Sequence, residues 1–206
     1  MRSPERFAEV IGTQTQQSPG WRRIAAFGVD YGFIFAYLGF LTLAGVLGRI
    51  AGALPTDIAT PTGRVVAQLV IFAVLTVPVT VWFAGWEATP GGATPGKRLL
   101  GLRVLTTSGD QLAWPRSLVR TALKFTVPWE LAHAAVWNML VWPGDGGTAV
   151  DALLLSLANA VIAVDVVSLF IGSRRTPYDR IAGTFVTAIR PGQERKTRSS
   201  IRDVPA

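Results

Sequence analysis

The chain predicts an all-α polytopic membrane fold with about four transmembrane helices, a small cytoplasmic β-hairpin and an interfacial basic helix. Three observations carry that prediction. Half of the 206 residues are apolar and only 16% are charged, with a mean hydropathy of +0.37. Soluble domains rarely combine so much apolar content with so little charge. Three runs of about twenty residues are almost free of charge, and the Lys and Arg residues gather on one side of them.

The first span covers 24–47, where Asp30 is the only charge. The second covers 65–86 with no charge at all, about 33 Å of helix at 1.5 Å per residue. The last covers 152–172, with Asp165 its only charge. Between them Arg116, Arg120 and Lys124 recur every fourth residue, which stacks them on one face and predicts a helix lying in the interface. Pro128 interrupts that pattern. The stretch that follows supplies a fourth span at 125–142, either short or re-entrant. Sidedness favours four crossings. Four Lys/Arg precede Ile24, six lie between Glu87 and Lys124 and eight follow Gly172, which puts all of them inside; only Arg49 and Arg64 fall outside.

Residues 1–19 form a polar segment without the apolar core of a cleavable signal. Residues 20–190 make the membrane domain, and 191–206 read as a disordered basic tail beside anionic lipid. Within the loop after the second span, Leu99 to Thr106 has strand character. Ser108-Gly109-Asp110 supplies a turn, and Gln111 to Trp114 is expected to return as the second strand of the hairpin.

Several motifs bear on chemistry. The absence of cysteine removes disulfides and thiolate chemistry, and the single histidine, His133, removes any site needing two. "GGATPGKR" approaches a phosphate-binding loop, but Arg98 occupies the position of the magnesium-binding hydroxyl and a membrane span precedes it. Its expected role is a turn that lets Lys97 and Arg98 reach lipid phosphates. Glu130 and His133 have the Glu-x-x-His spacing of di-iron bundles, yet no second histidine exists. Glu130 reads instead as a helix-end acid satisfied by His133, or by Lys124 across the proline, with a polar stripe including Asn138 as the other reading. Asp165, deep in the last span, is a functional candidate because a lone carboxylate at that depth is costly. Thr176, Pro177 and Asp179 fit N-cap, N1 and N3 of a short helix.

Three stretches resemble the RDD family of bacterial membrane proteins, named for an arginine and two aspartates. Arg23, Ala26 and Asp30 match its opening pattern. Thr94, Gly96, Lys97, Arg98, Gly101 and Val104 match its middle pattern, and Asp179, Ala182, Gly183 and Thr184 its closing one. The departure lies in "PWELAHAAVWNML", longer and more polar than the family pattern, which leaves three or four spans open. The resemblance implies a multi-pass protein of the bacterial inner membrane. Transport, including cation/proton antiport, has been suggested for some members.

With both termini inside, Arg23 and Asp30 share a helix face with the 174–179 segment close by. The expected charge cluster pairs Arg23 with Asp179 and Asp30 with Arg175 or Arg180, and swapping both charges of the first pair should rescue either single swap. The functional expectation is transport of a small cation or proton through Asp30 and Asp165. The alternative is a non-catalytic scaffold binding anionic lipid or a partner membrane protein. No nucleophile–base pair points to an enzyme. No cofactor, metal or nucleic acid is expected, and a homo-oligomer is compatible with either reading.

Overall fold

The computed structural model describes residues 17–52, 60–141 and 148–189. The basic tail, most of the polar N-terminal segment and the last residue of the fourth predicted span lie outside the described residues.

Helix α1 runs over Gly20–Ile50 and α2 over Pro61–Ala88. The short α3 spans Pro95–Leu99 and leads into β1, Leu102–Thr106. Helix α4 runs over 114–141, α5 over Ala149–Ser168 and α6 over Pro177–Ile181, and β2 closes the domain at Thr184–Ala188. Three of these, α1, α2 and α5, are long and apolar enough to cross a membrane. Their outward faces carry large apolar side chains in the open, among them Phe35, Phe40, Leu43, Leu69 and Leu153. That inverts the soluble pattern and suits a hydrocarbon surround.

Two prolines shape the bundle. Pro78 and Pro128 lack an N–H and press on the carbonyl four residues earlier. Each helix absorbs this with one widened π turn just before the proline, Phe72–Thr76 in α2 and Ala122–Thr126 in α4. The carbonyl of Val74, which Pro78 leaves without its helical donor, accepts from Tyr37 Oη at 2.6 Å. In α4 the helix therefore widens where a break was expected. The predicted interfacial helix and the following span are one continuous element, packed along α5.

Hydroxyls tie α2 to α4 at the same level. Ser117 Oγ donates to Ala84 O at 2.8 Å, Thr80 and Thr126 hydroxyls meet at 2.7 Å, and Thr76 Oγ1 donates to Glu130 Oε1 at 2.6 Å. An apolar cluster of Ile34, Leu75, Val79, Phe83 and Phe125 joins α1, α2 and α4 beneath them.

The expected β-hairpin is not what forms. β1 pairs antiparallel with β2, Leu102 opposite Ala188 and Thr106 opposite Thr184. The predicted return strand is consumed by a turn, in which Thr106 N donates to Asp110 O at 3.0 Å, and by the start of α4. Pro115 falls in the first helical turn, where its missing N–H costs nothing. Leu102, Val104 and Val186 pack on Ala26 and Leu112, so the sheet is pressed against the first turns of α1. The last apolar span also ends earlier than predicted: α5 stops at Ser168, and a turn with Gly172 at φ 56° and Arg174 at φ 48° reverses the chain.

Candidate functional site

The start of α1, the end of α2, the start of α4 and the end of α5 meet at one end of the bundle, closed by α3, α6 and the sheet. Contact there is close. A Cβ on Gly96 would stand 2.1 Å from Ala26 O, and one on Gly20 would stand 2.7 Å from Leu169 O. Glycine at both positions lets α3 and the end of α5 touch α1 backbone to backbone.

Five buried side chains form an alternating ionic chain at this end: Lys97, Glu87, Arg120, Asp179, Arg23. Lys97 Nζ donates to Glu87 Oε1, and Arg120 Nη1 to Glu87 Oε2. Arg120 Nε and Nη2 both donate to Asp179 Oδ1, at 3.0 and 2.8 Å. Arg23 Nη2 donates to Asp179 Oδ2 at 2.5 Å, and its Nη1 to Arg174 O at 2.7 Å. The left-handed Arg174 backbone turns that carbonyl inward. Each residue comes from a different helix, so the chain joins α3, α2, α4, α6 and α1. Arg120 and Asp179 are completely buried and Glu87 is 1% exposed. Tyr178 stacks beneath the Arg120 guanidinium at 5.1 Å.

Local structure places these groups. Thr176 Oγ1 accepts from Asp179 N at 3.3 Å, the N-cap and N3 relation read from the sequence. Arg120 Nε also reaches Thr184 Oγ1 at 3.2 Å. Burial alone would raise the Asp179 carboxyl, but Arg120 and then Arg23 outweigh it and hold the group well below the usual carboxylate range. Burial, reinforced by Lys124 and Arg120, pulls Lys97 down to about 7 against the opposing effect of Glu87.

The predicted residues fall into different roles. Arg23 and Asp179 come together directly. Asp30 meets neither Arg175 nor Arg180. Its Oδ2 accepts from Thr94 Oγ1 at 2.6 Å and its Oδ1 from Gly96 N at 2.8 Å. It holds the start of α3, because the Gly96 approach leaves its carboxylate facing those donors. Arg175 lies at the edge of the cluster and bonds backbone, donating to Thr184 O at 3.0 Å and Asp179 O at 3.3 Å. Arg180 is exposed and reaches Ser173 Oγ at 3.4 Å. Lys97 is buried against Glu87 and is not free to meet lipid phosphates. Arg98 is exposed but donates to Ala93 O at 3.0 Å and Thr89 Oγ1 at 3.3 Å. Glu130 is engaged by Thr76, and His133 stacks between Trp129 and Trp137 at 6.2 and 6.1 Å. Among the described residues, no three His, Asp or Glu side chains converge as a metal-binding group.

Glu87 and Arg120 were missed by sequence reasoning. The sequence groups Arg120 with Arg116 and Lys124 on one face of an interfacial helix. Only Arg116 lies in the open. The available signal was Glu87 itself, an acid directly after the uncharged run 65–86, which needs buried cations near it.

A cavity of about 240 Å³ opens beside the ionic chain, between α1, α4 and α5. Arg23, Asp30, Lys97 and Arg120 line it, as do Lys124 of α4 and Asp165 of α5. The Asp165 carboxylate has no hydrogen-bond donor or cation in contact among the described residues; only its backbone carbonyl is used, by Ser168 Oγ at 2.7 Å. The Lys124 ammonium rests on the Phe27 ring at 4.7 Å. The site therefore combines a closed set of fixed charges with two unengaged titratable groups.

No curated protein and no solved structure matches this chain. The model of the RDD family matches residues 18–183, from the approach to α1 to the turn after α6, so every member of the ionic chain and both groups facing the cavity fall inside it. The chain is a member of the RDD family.

Proposed function

We propose that this protein is a bacterial inner-membrane proton transporter, with Asp165 as the group that takes up and releases the proton. In this reading α4 makes a fourth crossing, both chain ends face the cytoplasm and no covalent catalysis is involved. The observation that carries the proposal is Asp165: an acid on an apolar helix, facing a cavity, with its carboxylate unengaged. Intramembrane acids with access to a cavity are the usual carriers of protons. Asp30 is a poorer candidate because both of its oxygens already accept hydrogen bonds. Four cationic side chains and two carboxylates line the cavity. That excess of positive charge opposes entry of a metal cation.

The test is flux in vesicles reconstituted with the full chain and loaded with a pH-sensitive dye. Wild type dissipates an imposed pH gradient, and Asp165→Asn abolishes the dissipation while remaining folded. Equal rates for the two proteins would reject the assignment. The completeness of the ionic chain favours the alternative, a scaffold whose acids only hold helices together. That reading predicts no gradient dissipation by either protein.

A further inference from the structure

Two residues that line the cavity carry hydrogen-bond donors that nothing in the transport reading uses. Lys124 lies in the widened turn of α4, and among the described residues its ammonium meets only aromatic faces, Phe27 at 4.7 Å and Phe83 at 6.0 Å. Of the acids around it, Glu87 is committed to Lys97 and Arg120 and Asp30 to Thr94 and Gly96, while Asp165 lines the same cavity without a salt bridge among the described residues. Trp129, five residues further along the same helix, also lines the cavity. Its Nε1 is closed to solvent in this rotamer and has no acceptor among the described residues. A buried N–H without a partner costs about 1–3 kcal/mol. A π turn brings residues five apart onto one side of the helix, and such turns recur at functional sites.

The cavity mouth has the opposite character. Ile24 of α1 and Ile162 and Val166 of α5 line it, yet they are 42%, 49% and 42% exposed. The two helices touch at Gly20 and Leu169. Beyond that contact the opening is an apolar slot on the surface that faces hydrocarbon. About 240 Å³ is below the ~300–1,000 Å³ of sites that enclose whole ligands. A headgroup fragment fits inside only if the rest of the molecule stays outside.

From this geometry we propose that the cavity binds one anionic phospholipid, whose phosphate accepts from Lys124 Nζ and, once the indole turns, from Trp129 Nε1, while an acyl chain lies along Ile24, Ile162 and Val166. The cationic lining complements the phosphate, and the apolar mouth distinguishes a lipid from a soluble anion. Asp165 faces the same space and opposes the phosphate when ionised. The lipid is therefore held better when that carboxylate is neutral. The proposal stands whether or not Asp165 carries protons.

The test is native mass spectrometry of the full chain in detergent, titrated with dioleoyl phosphatidylglycerol, dioleoyl phosphatidylcholine and inorganic phosphate in separate arms. Wild type should retain one phosphatidylglycerol in preference to phosphatidylcholine, and inorganic phosphate should not displace it. Lys124→Gln should weaken retention about tenfold, the loss of one charge-assisted hydrogen bond. Trp129→Phe, which keeps the ring, should weaken it about threefold, and Lys124→Arg should retain the lipid. Asp165→Asn should bind it as well or better, although the same variant is expected to lose proton flux. Equal retention of the two lipids, or equal retention by wild type, Lys124→Gln and Trp129→Phe, would overturn the proposal. Displacement by phosphate would assign the site to a soluble anion, and a dimer mass lost in Lys124→Gln would assign the slot to a second copy; either result overturns the lipid.

Discussion

The ionic chain and the cavity beside it use the same residue types to opposite ends. In the chain, each carboxylate is shared by two cations, and all five side chains are buried or nearly so. In the cavity, Lys124 and Asp165 line the same space without joining. Buried charges are strongly destabilising when one partner is removed and far less so when satisfied. The chain is thus the part of the molecule least able to change, and the cavity the part where protonation or a ligand can act at small structural cost.

The largest expected effect comes from breaking the chain at its centre. Arg120→Met leaves Glu87 and Asp179 each short of a cation and should cost about 3–5 kcal/mol, visible as a steep fall in thermal midpoint in detergent and in membrane abundance. The Arg23–Asp179 pair adds a sharper test. An exchange of the two charges was expected to rescue either single swap. Because Asp179 is also held by Arg120, an arginine at position 179 would face a second arginine. Arg23→Asp with Asp179→Arg should therefore stay as unstable as Asp179→Arg alone, and recovery of the midpoint would show that Arg120 does not share that carboxylate.

Next in size is Gly96→Ala. The new methyl would meet Ala26 O at 2.1 Å and lift α3 from Asp30, for about 1–3 kcal/mol. Gly28→Ala, with nothing within 4 Å of the added carbon, should be neutral or slightly stabilising in the same melt.

Acid should also separate the two regions. Asp179 is held below its ordinary value of 3.8. Its contribution is complete at pH above that value and drains away as pH falls through it towards the lower folded value. The melting temperature of wild type should drop over that window. Asp179→Asn should start lower and lose less. Among the charged residues the smallest stability effect belongs to Asp165→Asn, within about 0.5 kcal/mol, even though it removes the proposed flux; a large loss of stability there would place Asp165 among the structural charges.

Much of the fold was legible because its signals are local. Runs of apolar residues set α1, α2 and α5, and the Thr176-Pro177-Asp179 pattern set the start of α6. The approach of Arg23 to Asp179 followed from sidedness. Less could be read where two distant segments share a job. β1 could have paired with any short strand-like stretch, and the neighbour after a turn was the nearer choice; its partner lies about eighty residues away. Pro128 reads as a break because a proline's cost is visible in sequence, whereas the π turn that absorbs it is not. Arg120 carries the same charge as Arg116 and lies one turn from it. Only the arrival of Glu87 and Asp179 from two other elements decides which of them is buried. The Asp30 role was hidden for a related reason: its donors are a backbone N–H and a hydroxyl, which carry no charge pattern to read.

Arg23 and Asp179 lie 156 residues apart in the chain, and this separation has a consequence for how the protein is made. Arg23 emerges among the first helices, while the carboxylate that balances it is nearly the last part of the domain to be synthesised. Glu87 likewise waits for Arg120. Until the segment around Asp179 docks, Arg23 lacks the carboxylate that pairs with it in the folded chain. Closure of the ionic chain therefore requires α1 and α6 to be in place together.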